Sequence, residues 1–458
     1  MNDKAIIWGT ASNGEKAFYK VSDLWEIAGF CDNDRNKWDQ KFMELTIYQP
    51  DDVVKMTDCD VVVASLWFEE IIDQLLEMGI AEERIYYINP AAFVIQSLKG
   101  VELSGKRKKD MRILFVQRVP GIRIDKMACV LKDHGVRSDL AYLMEAPDYC
   151  IGMKRIPYER VIPINDLIEF IRYVDGEDYD LVWSANSPDY LTTLLLSSNK
   201  RIIHDTADMM SIWYDINIDQ MVHEFVANRL CQANVYVTEE VRHIAEQKFD
   251  LGRREVLILN NYVLKKDKPK KFLQKKSSID GEIHCVYEGG IWEGEKTLRY
   301  YEDIFTAIAR QNIHVHFYSE ENEYVRSLGE LHPYMHYEGC LPYEELMTEL
   351  TQYDVGLVVL NITPRNNTFL QTTFPNKIFE YLFAALPVAV ANIDSLKKFA
   401  NEYGVGQYLD LDGDIRGQIG QISKIKVDKD FLENNKLTMD DQAEKIIEFF
   451  ERVIDHTL

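Results

Sequence analysis

No two cysteines of this chain are spaced as Cys-x-x-Cys, and no paired Cys or His spacing points to zinc. The seven cysteines are odd in number and lie mostly in or beside apolar strand-like runs, which argues against a disulfide framework and fits reduced, buried thiols of a cytoplasmic protein. Positive charge is scarce. Lys and Arg number 52 against 75 Asp and Glu, and the formal net charge of −23 excludes a general affinity for nucleic acid or anionic lipid. Long hydrophobic runs are missing too: no stretch reaches the roughly 20 apolar residues that span a bilayer. The start, MNDKAIIWGTAS, carries neither a basic leader nor a long apolar region. Without a complete Walker loop or a Gly-x-Ser-x-Gly elbow, P-loop and serine-hydrolase chemistry have no anchor. Asp-x-Asp pairs occur at Asp32/Asp34, Asp58/Asp60 and Asp410/Asp412, but a chain this acidic makes them by chance. The run from Asp410 fails as a calcium loop, because Ile415 takes its glycine position and Gln421 its terminal glutamate position. No metal is expected.

What is present, 46% hydrophobic and 28% charged residues, is the mix of a soluble globular protein, and 458 residues suit two or three domains with separate cores. Strand and helix patterns alternate in three runs. The first, residues 1–105, opens with a strand at Ala5 to Trp8, then Gly9-Thr-Ala-Ser-Asn-Gly14, a helical stretch, and a strand at Glu26 to Cys31 followed by Asp32 and Asp34. A glycine turn with an acid about twenty residues on is the layout that puts a phosphate on a helix N-terminus and a carboxylate on a ribose, here through Gly9, Ser12, Gly14, Asp32 and Asp34. Ala11 stands at the middle glycine position. Strands at Val61 to Ala64 and Ile85 to Ile88 complete a small parallel sheet ending near Leu98. The run resembles the Rossmann-like nucleotide-sugar-binding domain at the N-terminus of sugar acetyltransferases, related to epimerases. That implies either a retained nucleotide or a structural or regulatory unit that keeps only the shape. A basic linker, Lys99 to Asp110, should let this unit fold alone, so that deleting it leaves donor binding by the rest nearly unchanged.

The second run, 111–264, has strands at Arg112 to Gln117, Asp180 to Ala185, Arg201 to Thr206, Ala233 to Thr238 and Glu255 to Asn261. Their β-branched character and helical spacers predict a doubly wound parallel sheet, whose ligands gather at the C-terminal strand ends. That rule selects the loop holding Arg118, Gly121 and Arg123, and the segment of His204, Asp205 and Asp208. Seven lysines from Lys265 to Lys276 mark a second linker, expected to be a solvated hinge or a patch for peripheral contact with the inner membrane face. The third run, 281–437, contains Tyr287-Glu-Gly289-Gly290 with Lys296, then Gly339-Cys-Leu341-Pro342, and finally TTFPNKIFEYLFAALPVAVAN from Thr372 to Asn392. In that last stretch Pro375 suits a first helical position, and the helix should run from Asn376 to Leu386. Lys377 and Glu380, three apart, share the face opposite Ile378, Phe379, Leu382 and Phe383. A cation and a carboxylate near free helix N–H groups suit a diphosphate carrying a ribose. A helix in 438–458, N-capped at Thr438 with a stripe at Ala443, Ile446, Ile447, Phe450 and Ile454 and reaching His456, closes the chain.

The Pro375-Asn376-Lys377-x-x-Glu380 segment resembles the donor-site motif of glycosyltransferase family 4, which has the GT-B fold of two Rossmann-like domains facing a cleft. The resemblance implies that Gly289 and Gly290 admit a diphosphate, that Lys296 and Lys377 hold it, that Gly339 and Leu341 meet the nucleobase, and that Thr372, Thr373, Asn376 and Glu380 line the sugar and ribose. In the family two glutamates eight positions apart bracket the site; Glu380 matches the second and Thr372 occupies the place of the first. Ala385 replaces a glycine that closes the helix, and Gly290 stands where many members have arginine. On the acceptor side Arg118, Gly121, Arg123, His204, Asp205 and Asp208 are implied, with His204 and Asp208 the candidates for a catalytic role. The expected fold is α/β, GT-B preceded by a small third Rossmann-like domain. The expected activity is retaining transfer of a sugar from a nucleotide-diphosphate donor to a glycan or lipid-linked acceptor in cell-surface polysaccharide synthesis, without a cofactor. A GT-B nucleotide-sugar epimerase and a non-catalytic sugar-nucleotide sensor or scaffold stay open as alternatives.

Overall fold

The computed structural model describes residues 2–22, 24–65, 67–88, 95–97, 111–144, 157–186, 188–213, 218–252 and 254–455. The expected linker Lys99 to Asp110 and His456 lie outside the described residues. Three sheets follow one another along the chain. In the first, Lys4–Trp8, Glu26–Cys31, Cys59–Val63 and Ile85–Ile88 form a parallel centre. Its edges depart from the all-parallel sheet expected: Lys41–Phe42 pairs antiparallel with Leu45–Tyr48, and Ile85–Ile88 with Ile95–Ser97. The first hairpin turns on Met43 and Glu44, both at positive φ (50° and 64°). Such a two-residue turn usually announces itself with Asn-Gly, and Met-Glu gives no such signal.

The middle sheet runs Val161–Pro163, Arg137–Tyr142, Arg112–Gln117, Leu181–Ala185, Ile202–Thr206, Ala233–Tyr236 and Glu255–Ile258, all parallel. The first two of these strands escape the sequence reading. Arg137–Tyr142 looks polar because it carries Asp139, which is fully buried and takes Arg112 at 2.8 Å, Arg160 at 2.9 Å and the Tyr179 hydroxyl at 2.7 Å. Burial of a charge is tolerable only with such partners. The third sheet runs Met335–Tyr337, His314–Tyr318, His284–Glu288, Val355–Val358, Val388–Val390 and Gly406–Tyr408, again parallel.

Two long-range packings tie these units together. The closing helix, Ala443–Asp455, returns to the middle unit, where Ile446, Phe449, Phe450 and Val453 join the core of Met111, Phe115 and Trp183. Phe450 meets Trp183 edge-on at 5.8 Å. The short turn Asp440–Gln442 that leads into the closing helix is tied reciprocally: the Asp441 N–H donates to Thr438 Oγ1 at 3.3 Å, and the Thr438 hydroxyl donates to the Asp441 carboxylate at 2.6 Å, so the helix itself starts later than the expected cap at Thr438. The first unit is also docked on the middle one. Ile6, Trp8, Val61 and Phe68 belong to one contiguous apolar cluster with Leu114, Val116, Phe170 and Leu195 of the middle unit. Arg229 completes the join, pairing with Glu70 at 3.1 Å and covering the Trp67 ring at 5.2 Å.

The lysine-rich segment is no solvated hinge. Lys265 pairs with Asp441 at 2.6 Å and Lys268 with Glu433 at 2.7 Å, Lys275 donates to the Tyr353 carbonyl, and Lys276 lies 5.7 Å from the Tyr353 ring. Acidic residues far away in sequence, unseen as partners in a linear reading, hold it against the third unit. Lys266, Lys270 and Lys271 stay exposed.

Candidate functional site

In the third sheet, His284–Glu288 lies between His314–Tyr318 and Val355–Val358, so the strand order reverses there. Ligands of open parallel sheets bind beyond the strand C-termini at such a point. The chain leaves that strand through Glu288, Gly289 and Gly290. A Cβ on Gly289 (φ 120°) would sit 3.3 Å from Lys377 Nζ, and one on Gly290 would sit 2.7 Å from an Arg299 guanidinium nitrogen. The two glycines therefore admit two cations to the loop. Lys377 donates to the Glu288 carbonyl at 2.7 Å and stands 3.8 Å from the Tyr287 ring centroid. The Glu288 N–H donates to the Tyr381 hydroxyl at 3.0 Å, and the Tyr287 hydroxyl to the Gly290 carbonyl at 3.0 Å.

Lys377, Glu380 and Tyr381 all come from the helix Lys377–Phe383. It is shorter than expected at both ends: Pro375 precedes it, with its carbonyl accepting from the Ile378 N–H at 3.4 Å, and Asn376 is the cap residue. Its C-terminus is a Schellman motif with alanine in the usual glycine place. Ala385 is left-handed at φ 56°, the Leu386 N–H reaches the Tyr381 carbonyl at 2.9 Å, and the Ala385 N–H reaches that of Leu382 at 3.1 Å. The strain, on the order of 1 kcal/mol, is borne by those two bonds and by a helix whose residues 378–383 are all buried.

Electrostatically the pocket is a cation and a carboxyl pair forced together. Burial and then the neighbouring Glu380 carboxylate push the Glu288 carboxyl well above the usual range, with Lys377 and Arg299 pulling the other way. Burial likewise lowers Lys377 to about 8, Glu288 opposing the shift and Arg299 adding to it. The Lys377 ammonium is thus present below about pH 8 and lost above it, while Glu288 gains negative charge over the same rise. Both changes make the pocket more negative. Affinity for an anionic diphosphate should fall roughly tenfold between pH 7 and 9, about one pK unit's worth of interaction, when titrated by calorimetry. A flat profile would mean that neither group faces the ligand.

Several expected site residues are placed otherwise. Lys296 is exposed on the loop, and the cation against Gly290 is Arg299, itself stacked on Trp292 at 5.0 Å. Arg299 was missed because it lies nine residues beyond Gly290 and only the loop's return brings it back, through the Trp292 N–H to the Arg299 carbonyl at 3.0 Å. Thr372 is buried and turns its hydroxyl into the Phe369 carbonyl at 2.7 Å; the Thr373 hydroxyl shares that acceptor at 3.5 Å. Gly339 is left-handed (φ 88°) and its carbonyl accepts from the Ser319 N–H at 3.0 Å. Leu341 packs on the third unit's core and borders a groove of about 550 Å³ toward Lys266 and Lys270, whose walls include neither Lys377 nor Glu380.

The middle sheet reverses its order at Arg112–Gln117, so the loop of Arg118 and Gly121 occupies the corresponding point of the other half. Arg118 is exposed, with its carbonyl accepting from the Met144 N–H at 2.8 Å. Gly121 donates its N–H to Gln117 Oε1 at 3.0 Å, and a Cβ there would meet only ordinary contacts. Arg123 is not in the loop but in the first turn of Ile122–Asp133. It forks onto Asp205 with two bonds of 3.1 Å and reaches Asn261 at 3.0 Å; Asn261 in turn donates to the Phe374 carbonyl of the facing half at 3.1 Å. Arg123 and Asp205 are a buried joint and not acceptor contacts. His204 is also corrected. On a strand it faces away from Asp205, fully buried, with Nδ1 3.0 Å from the Thr192 hydroxyl and Nε2 3.2 Å from Asp189. Asp208, like Arg118, has an exposed side chain, yet desolvation raises its carboxyl, and Arg299 and Arg123 oppose the rise.

In the first unit Gly9 (φ 128°) and Gly14 are sterically demanded: a Cβ on Gly9 would lie 2.6 Å from the Ala64 carbonyl oxygen, and one on Gly14 2.0 Å from that of Gly9. Ser12 is exposed at the first position of Ser12–Val21. The acids, however, are held by protein. Asp32 accepts from the Thr10 hydroxyl and from Lys37 at 2.9 Å, bonds that keep its carboxyl below the usual range although burial works to raise it. Asp34 caps the turn Arg35–Lys37 through the Asn36 N–H at 3.0 Å. Asp60 is likewise occupied, by Asn2 and by the Trp25 indole at 3.0 Å.

The family described as C2185-like, N-terminal, matches residues 1–86, and that described as Glucosyltransferase 3-like, C-terminal domain, matches residues 300–437. No curated protein matches the chain. Among solved structures, a glycosyltransferase from Rickettsia africae aligns with a TM-score of 0.56 at 10% identity, over 76% of this chain and 99% of its own. HepE from Anabaena, solved with UDP and glucose, aligns at 0.53 and 11% identity over 75% of this chain and all of its own. Sucrose-phosphate synthase from Thermosynechococcus elongatus aligns at 0.52 and 13% identity, over 75% and 96%. At these identities the likeness is one of fold. The chain therefore has the GT-B fold of the glycosyltransferases it is similar to, with a Glucosyltransferase 3-like second half and a C2185-like unit added in front.

Proposed function

We propose that the chain is a retaining glycosyltransferase, of the family 4 type its donor motif resembles, that moves a sugar from a nucleotide-diphosphate donor to a glycan or lipid-linked acceptor in cell-surface polysaccharide synthesis. The observation that carries this reading is the convergence of Arg299 and Lys377 on two glycines, with Glu380 against the preceding Glu288, at the point where the third sheet reverses its order. Arg299 and Lys377 would stabilise the leaving diphosphate, where negative charge develops in the transition state. Glu380 would accept from the ribose hydroxyls, exchanging its contact with Glu288 for the ligand. Two cations suffice for that charge, so transfer needs no divalent ion at the donor. Asp208, open to the cleft and facing Arg299, is the acceptor-side carboxylate of this reading. HepE is solved with UDP and glucose, which supports UDP as the first nucleotide to test. The exposed Lys266, Lys270 and Lys271 beside Phe272, 40% exposed, are the surface for peripheral contact at the cytoplasmic face of a membrane.

Thr372, in place of a glutamate, favours a sensor that binds without turnover. A donor panel separates the readings. Slow release of free sugar, undiminished by excess chelator and lost with nucleotide affinity in Glu380→Ala, is the expected result. Losing a charged hydrogen bond costs on the order of 1.5–3 kcal/mol, so affinity should fall about tenfold or more. Isomerised sugar would mean an epimerase, binding without turnover a sensor, and unchanged affinity in folded Glu380→Ala would remove that residue from the site.

A further inference from the structure

The sheet of the third unit carries a cluster of imidazoles that the transfer site does not use. His284 lies opposite His314 on neighbouring strands, and His316 opposite His336. His314 and His316 are two apart on one strand, so the four rings share a face. The rings of His284 and His314 stack at 4.4 Å, and those of His316 and His336 at 4.5 Å. One ring nitrogen from each of His284, His314 and His316 lies within 4.8 Å of the others.

Three of the four rings have their outer nitrogen anchored. His284 Nε2 lies 2.9 Å from Asp280, His314 Nε2 2.6 Å from Glu282, and His316 Nδ1 2.6 Å from Glu338. A carboxylate can only accept, so each imidazole keeps its N–H on that side. The lone pairs are then left on Nδ1 of His284, Nδ1 of His314 and Nε2 of His316. Two of these, His284 Nδ1 and His316 Nε2, face one another at 2.9 Å, and His336 Nε2 stands 2.8 Å from His314 Nδ1. Opposed lone pairs at that distance repel unless an electrophile stands at them. A proton would leave an imidazolium on residues only 4% exposed, where desolvation disfavours charge. A divalent transition metal satisfies three or four nitrogens together. Metal–nitrogen bonds of about 2.0–2.1 Å put tetrahedral ligand nitrogens about 3.3 Å apart, between the 2.8–2.9 Å of the facing pairs and the 4.8 Å within which the three nitrogens lie, so the rings would turn to converge on the ion. Histidine backed by a carboxylate is also the usual support for a metal-bound imidazole, and it occurs here three times.

We propose that His284, His314 and His316, with His336 as fourth ligand, bind a divalent transition metal, zinc by the chemistry of the ligands, in a structural site that staples three strands of the third unit. The site is distinct from the donor pocket. His284 begins the strand that Glu288 ends, about 13 Å away at strand rise. The test uses the untagged full chain, stripped with chelator and titrated with Zn²⁺ by calorimetry and with Co²⁺ by visible absorption. Expected are one ion per chain with a dissociation constant below about 1 μM, a tetrahedral Co²⁺ spectrum, and a rise in Tm on reloading. His314→Gln, at a partly exposed ring, should bind at least a hundredfold more weakly, and Glu338→Gln, which leaves all four ligands in place, roughly ten- to a hundredfold more weakly. Absence of one-to-one binding, or affinity unchanged in both folded variants, would overturn the site.

Discussion

Arg299→Ala is expected to lower kcat for transfer by about 10²–10³, the usual loss when one donor is removed from a place where negative charge develops. The guanidinium lies against Gly290 and is held over Trp292, partly buried and without a fold partner as deep as those of Arg112 or Arg123, so the variant should fold. Arg299→Lys should recover part of the loss, because a point charge replaces a fork that grips two phosphate oxygens. Lys296→Ala should change kcat by less than about threefold, its ammonium being exposed and screened. Steady-state kinetics on the three variants decide between the two cations: a large loss in Lys296→Ala with none in Arg299→Ala would restore the sequence-based assignment.

Deleting residues 1–105 is expected to cost far more than a tethered domain would. The apolar cluster that runs through both units would be cut, and Arg229 would lose Glu70 and Trp67. Each large apolar side chain newly exposed costs about 1.5–3 kcal/mol, so uncovering a few approaches the whole stability of a domain, about 5–15 kcal/mol. The truncated chain should be poorly soluble, and what can be kept soluble should melt at a clearly lower temperature than the full chain. Donor affinity in that soluble fraction should stay within a few-fold, since no residue of the first unit reaches the Gly289–Gly290 loop in the contacts described. A well-behaved truncated protein with unchanged melting would show that the shared cluster is contact without consequence.

The strand at Arg112 to Gln117, the strand at Glu26 to Cys31 and the stripe of the closing helix were legible because local pattern and burial agree in them. Arg137–Tyr142 was not, because its polar residue is neutralised by Arg112 and Arg160 from 27 residues upstream and 21 downstream. The lysine segment misled for the same reason: its carboxylate partners Glu433 and Asp441 lie about 170 residues away. His204 and Asp208 read alike as polar groups at a strand end, but His204 lies inside the strand Ile202–Thr206 and is buried against Thr192, whereas Asp208 lies two residues beyond it and is exposed.

The sequence alone determined the alternation of strand and helix, the three-part order, the glycines at Gly289 and Gly290, and the Lys377 and Glu380 pair with its left-handed Ala385, because each of these is a matter of neighbours within a turn or two. Only tertiary structure decided which cation meets the glycine loop, which carboxylate meets Glu380, that Arg123 and Asp205 pair in a buried joint beside the Asn261 contact to the facing half, and that four histidines from three strands meet on one face. Those choices depend on where the chain returns after a loop or a crossover, and burial then changes the charge a group carries. Proximity of that kind has no local signature in the order of residues.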